Sequence, residues 1–167
     1  MGNCLPALLV LVTILLAAGC TTTAAEWNSR GEAYHATGQY GEAVAAFDQA
    51  LALDPGYAEA WRNRGLSLAL LGRPGDSEES FARAHALDPE NARTYYYQAL
   101  ARNLTGDTQG ALECLDHAVS LPPRDRDGAI ILFDSLLFRG RILWEQGLYD
   151  EANASFARAH ETMMGTI

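Results

Sequence analysis

The sequence predicts an all-α solenoid, a short right-handed superhelix of about four helix–turn–helix units. Three observations carry that expectation: a self-similarity with a period of 34 residues, Gly and Pro at intervals between runs rich in Ala and Leu, and few β-branched residues after the first twenty positions. Trp27-Asn28-Ser29-Arg30-Gly31 returns 34 positions later as Trp61-Arg62-Asn63-Arg64-Gly65. Phe47-Asp48-Gln49-Ala50-Leu51-Ala52-Leu53-Asp54-Pro55 returns at the same spacing as Phe81-Ala82-Arg83-Ala84-His85-Ala86-Leu87-Asp88-Pro89. A third copy, Leu115-Asp116-His117-Ala118-Val119-Ser120-Leu121-Pro122-Pro123, follows in register, and a fourth returns as Phe156-Ala157-Arg158-Ala159-His160.

Helices are expected near 25–37, 41–53, 58–71, 75–87, 92–105, 108–121, 127–146 and 149–163. Gly38, Gly72, Gly106 and Gly147 end the first helix of each pair. Asp54-Pro55 and Asp88-Pro89 stop the second, because Pro disfavours helix in the residue before it. Gly31, Gly65 and Gly140 fall inside helical stretches, where Gly costs about 1 kcal/mol relative to Ala. They fit if two helices cross there at close approach, with Ala43, Ala111 and Ala152 as the matching small surface and Phe47, Phe81 and Phe156 beside the crossing. Between the third and fourth copies the register slips by 7 residues, 126–132. Seven residues are nearly two turns, a drift of about 20°. They either extend the seventh helix or form a loop; Ile130, Ile131 and Leu132 favour the helix, since a loop would expose them.

The N-terminus reads as an address. Leu5–Ala18 is apolar but shorter than the roughly 20 residues needed to span a bilayer, and it contains Pro6. A signal-peptide core fits better. Its end, Leu16-Ala17-Ala18-Gly19-Cys20, resembles a prokaryotic lipobox. The resemblance implies cleavage before Cys20 and a diacylglyceryl group on its thiol, and two acyl chains anchor stably where one does not. Expected boundaries are a leader over 1–19, a linker over 20–23 and a helical domain over 24–167. The protein is expected to be exported to the cell envelope and anchored to a membrane through lipid.

Composition narrows the function. The formal charge of −9 disfavours a nucleic-acid partner, which needs a basic face to displace counterions. Every basic side chain is Arg, so lysine chemistry is excluded. Three cysteines make no disulfide framework or zinc cluster, and Cys114, among Leu112, Leu115 and Ala118, reads as a buried thiol. His35, His85, His117 and His160 lie on different helices without metal spacing. No phosphate loop or nucleophile elbow is present. Neither enzyme activity, cofactor nor metal is expected.

The period and pattern resemble the tetratricopeptide-repeat (TPR) family over essentially everything after the leader. Trp27, Gly31, Tyr34, Ala43, Phe47, Ala50 and Pro55 stand at the family's signature positions in the first repeat, and Trp61, Gly65, Phe81, Ala84 and Pro89 in the second. Tyr95, Ala99, Ala111, Leu115, Ala118 and Pro123 mark the third; Gly140, Tyr149, Ala152, Phe156 and Ala159 mark the fourth. The implied repeats are 24–57, 58–91, 92–125 and 133–166. The resemblance further implies a concave groove lined by the first helix of each pair. Its positions are Asn28, Glu32 and His35; Arg62, Asn63 and Leu66; Arg93, Tyr96, Tyr97 and Leu100; and Leu137, Arg141 and Trp144. Within Tyr95-Tyr96-Tyr97, Tyr95 is assigned to the core and Tyr96 to the groove. In the family's clamp for a C-terminal carboxylate, Asn28, Glu32 and Tyr97 occupy places held by Lys, Asn and Arg, and Glu32 would oppose a carboxylate.

The function so implied is a non-catalytic adaptor that binds a protein or peptide segment in its groove. The alternative is a self-associating structural lipoprotein with no groove ligand. A homodimer through the C-terminal repeat is expected from Leu136, Leu143, Phe156 and Met163, since no further helix follows to cover them.

Overall fold

The computed structural model describes residues 22–165; the expected leader, Cys20 and Thr21 lie outside the described residues. Among these are eight helices and no strand: α1 (Ala24–Ala36), α2 (Tyr40–Leu53), α3 (Ala58–Leu70), α4 (Pro74–Leu87), α5 (Ala92–Leu104), α6 (Thr108–Ser120), α7 (Arg126–Glu145) and α8 (Tyr149–Gly165). None is long and apolar enough to cross a membrane.

Local chemistry sets the helix ends. Thr23 opens α1 with a capping box: its hydroxyl accepts from the Glu26 N–H at 3.2 Å, and the Glu26 carboxylate accepts from the Thr23 N–H at 2.8 Å. Gly38 adopts φ 77°, the left-handed conformation that closes a helix without a Cβ clash, and the device recurs at each hairpin turn. Pro74 sits in the first turn of α4, where its missing N–H costs nothing. Asp125 caps α7 by accepting from the Gly128 N–H at 2.7 Å. That cap settles the register slip as helix: α7 runs unbroken for 20 residues, against 13 in α1, α3 and α5. Its extra turns bury Ile131 and Leu132 and leave Ile130 exposed.

The helices pair as α1/α2, α3/α4, α5/α6 and α7/α8, and each pair packs on the next through α2/α3, α4/α5 and α6/α7. First helices also touch one another, α1 with α3, α3 with α5 and α5 with α7. Second helices make no such contacts with each other among the described residues. A wall packed closely on one side and splayed on the other must curve, so the first helices form the concave face.

Within each hairpin the crossing is as tight as the glycines require. A Cβ added at Gly31 or Gly140 would overlap the ring of Phe47 or Phe156, and at Gly65 it would meet Phe81 at 3.0 Å. Phe47 and Phe81 are fully buried, as are Ala43, Ala111 and Ala152. The third and fourth hairpins share a core of Ala99, Leu112, Cys114, Leu115, Phe138, Ile142 and Leu143. Burial pushes the Cys114 thiol up to about 11.

Two expectations need correction. Tyr95 is half-buried on the outer side rather than in the core: its ring stacks between His85 and His117, with centroids 4.2 and 5.3 Å away, and its hydroxyl donates to the Pro89 carbonyl at 3.2 Å. Trp61 does the same one period earlier, donating from Nε1 to the Pro55 carbonyl at 2.9 Å. Both rings latch the loop between hairpins. The second correction concerns the C-terminal face. Leu136 and Leu143 are buried within the stack, only 2% and 3% exposed, so they offer nothing to a second copy. Phe156 is half-buried against Gly140, and Met163 alone of the four is exposed.

Candidate functional site: the concave face

Repeat stacking sets α1 and α3 side by side on the concave face. Asn28 and Asn63 are both buried there, and a buried amide must find partners. Asn63 donates from Nδ2 to Asn28 Oδ1 at 3.3 Å and to Glu32 Oε1 at 3.0 Å, and Asn28 donates to the same Glu32 oxygen at 3.2 Å. Two amides thus fix one carboxylate oxygen of an otherwise exposed Glu32. His35 lies one turn on. The Ser67 hydroxyl donates to the Asn63 carbonyl at 3.0 Å, so its oxygen accepts from His35 Nδ1 at 2.9 Å. Burial lowers the His35 pKa, which favours that neutral, Nδ1-protonated form. Glu32, His35, Phe47, Asn63, Leu66 and Tyr97 line a pocket of about 260 Å³.

Arg62 stands beside Tyr97 at the edge of this pocket. Its side chain is only 5% exposed overall, pairs with Glu59 at 2.8 Å and lies 5.3 Å from the Tyr97 ring centroid. Beyond it, Tyr96 packs with Leu100 on the shared core and meets Phe138 edge-on at 6.3 Å. Burial raises the Tyr96 pKa, with Asp134 adding to the shift. Arg141 is exposed and stands 4.9 Å over Phe138. At the groove's edge Arg93 approaches Asp127, on the extension of α7, at 3.9 Å. Leu137 is 38% exposed and Trp144 51%. Trp144 sits apart from the rest, edge-on to Tyr149 at 4.8 Å near the last hairpin turn.

The structure therefore brings together Asn28, Glu32, His35, Asn63 and Leu66 at one end, and Tyr96, Leu100 and Arg141 around Phe138 at the other. Arg62 and Tyr97 join the two groups. Phe138, Glu59 and Asp127 were not read from the sequence. Glu59 was legible as the partner three residues before Arg62 on one helix, whereas Phe138 becomes a groove neighbour only once α7 is placed beside α5.

Known proteins match this arrangement. A model described as TPR repeat covers residues 31–72, and one described as tetratricopeptide repeat covers 58–91. Over residues 31–91 the chain carries tetratricopeptide repeats. The helical stack also superposes, over much of its length, on solved structures of low sequence identity. A crystal structure of MamA is 22% identical, with a TM-score of 0.70 over 92% of this chain and 85% of that one. A MamA fragment from Desulfovibrio magneticus RS-1 is 22% identical, with a TM-score of 0.66 over 85% and 76%. The first TPR of Spaghetti (RPAP3), bound to the HSP90 peptide SRMEEVD, is 20% identical, with a TM-score of 0.55 over 68% and 90%. These likenesses establish the fold. No curated protein matches the sequence.

Proposed function

We propose that this TPR stack is a non-catalytic scaffold that holds a segment of a partner protein in its concave groove. The scaffold is tethered to the outer face of a prokaryotic membrane through lipid on Cys20. The observation that carries the reading is the set of large side chains that the first helices leave accessible along one face: Tyr96 and Tyr97 half-buried, Leu137 and Trp144 more exposed. Aromatic area and arginine forks are what protein recognition uses most, because they bring contact at little entropic cost. A TPR neighbour was solved with a peptide bound, which supports the same use here.

A photo-crosslinking residue at Leu137 or Arg141, in native membranes, should capture a partner polypeptide, whereas one at Arg83 on the outer side should not. Equal capture from both faces, or none, overturns the groove reading. Cys20→Ala should release the protein from the membrane fraction, and mass spectrometry of the mature N-terminus should find a diacylglyceryl adduct on wild type.

A second reading, self-association, is favoured by one observation. Trp144, Leu148 and Tyr149 form an exposed apolar patch at the last hairpin turn. Under that reading the crosslinks carry only copies of this chain.

A further inference from the structure

We propose that the pocket between the first two hairpins takes a basic side chain, Arg or Lys, from the bound segment. The inference rests on the groove reading above and adds the chemistry of its ligand.

Glu32 is the reason. Its Oε1 is held by the amides of Asn28 and Asn63, so the carboxylate is aimed before any ligand arrives. Among the described residues no arginine pairs with it, although most arginines of the stack are paired elsewhere. Arg62, next to Tyr97 of the pocket, is engaged by Glu59 and the Tyr97 ring. His35, in the same pocket, keeps its proton on Nδ1 toward Ser67 and brings no charge. Glu32 thus lines the pocket with no cationic side chain paired to it among the described residues.

The surrounding walls suit the rest of such a side chain. Leu66 and Phe47 supply apolar wall for an alkyl stem, and Tyr97, whose ring Arg62 also approaches, adds aromatic surface. A volume of about 260 Å³ is below the roughly 300–1,000 Å³ of small-molecule sites and matches a single side chain. The formal charge of −9 draws cationic segments toward the chain as a whole. An acidic segment meets the opposite, since its carboxylates would be repelled by Glu32.

The test selects a random peptide library displayed on phage against the full chain in mild detergent, with Glu32→Gln and Glu32→Arg in parallel. Gln keeps an oxygen for the two asparagines, so this variant preserves the fold. The expected result is a basic residue shared at one position of the wild-type peptides. Their Kd should rise about tenfold or more on Glu32→Gln, the loss of one charge-assisted contact. Glu32→Arg should select an acidic residue there instead. Groove-binding peptides with no shared basic residue, or affinities unmoved by Glu32→Gln, overturn this inference and leave the groove reading standing. No enriched peptide at all overturns both.

Discussion

The third hairpin and its neighbours make the same helix crossing with different side chains. In the first, second and fourth, a glycine lies under a phenylalanine ring: Gly31 under Phe47, Gly65 under Phe81, Gly140 under Phe156. In the third, Ala99 and Leu115 stand at those places, both fully buried. A methyl gained on one helix accompanies a ring lost from the other. Space at the crossing is thus set by the pair and not by either residue.

The residues just before these pairs change with them. Arg64, before Gly65, donates from Nη1 to Ser80, before Phe81, at 2.7 Å, and from Nε to Asp48 of the preceding hairpin at 2.7 Å. Arg139 repeats this with Ser155 at 2.7 Å and Asp116 at 2.6 Å. The third hairpin has Gln98 and Cys114 there instead. Gln98 donates to Glu78 at 2.7 Å and bonds the His85 ring at 2.9 Å, while Arg102 grips the same Glu78 at 2.9 Å. Each hairpin after the first is laced to its predecessor, but the third uses a different set of groups.

The largest expected effect comes from emptying a crossing. Phe47→Ala should cost about 3–5 kcal/mol, read from urea denaturation midpoints. A loss near 1 kcal/mol would mean that α1 and α2 collapse into the space. Gly31→Ala comes next, destabilising by about 1–3 kcal/mol through overpacking, less the gain in helix propensity. Adding Phe47→Leu recreates the third hairpin's pair and should recover most of that loss. If the two changes simply add in a double-mutant cycle, the pair view is wrong. Smallest is Ser80→Ala, which removes a partner from Arg64 and should cost about 1 kcal/mol. No change in midpoint would show that Asp48 alone is enough for the lacing.

Much of this was legible in the sequence because it recurs. Helix ends followed from Gly38 and its equivalents and from Asp54-Pro55, each a local rule of the backbone. The repeat pattern placed Asn28, Glu32 and Asn63 along the groove, but their hydrogen bonds run between positions 35 and 31 residues apart and were not read from the period. The Arg–Ser lacing left a trace that went unread: Arg64-Gly65 with Ser80-Phe81 recurs as Arg139-Gly140 with Ser155-Phe156. Tyr95 was misplaced because an aromatic in a helix reads as core, whereas its partners, His85, His117 and Pro89, come from two other helices and a loop. Leu136 and Leu143 were misread for a related reason. The face of α7 turned toward α6 cannot be told from the face left free until the preceding hairpin is in place.

With guanidinium as the only side-chain cation, failure in alkaline solution falls to the weak acids. A guanidinium holds its charge far above physiological pH, and the Glu78 hydrogen bond raises Arg102 further. Burial raises Tyr57, and in Cys114 and Tyr96 it lifts the thiol from 9.0 to about 11 and the phenol above 10.0. The unfolded chain gives up the thiol proton first. The stability held by that proton is whole below about pH 9 and drains as pH climbs toward 11. Cys114 and Tyr96 both belong to the core shared by the third and fourth hairpins. Base should therefore loosen the stack at that seam while the arginine pairs elsewhere remain closed.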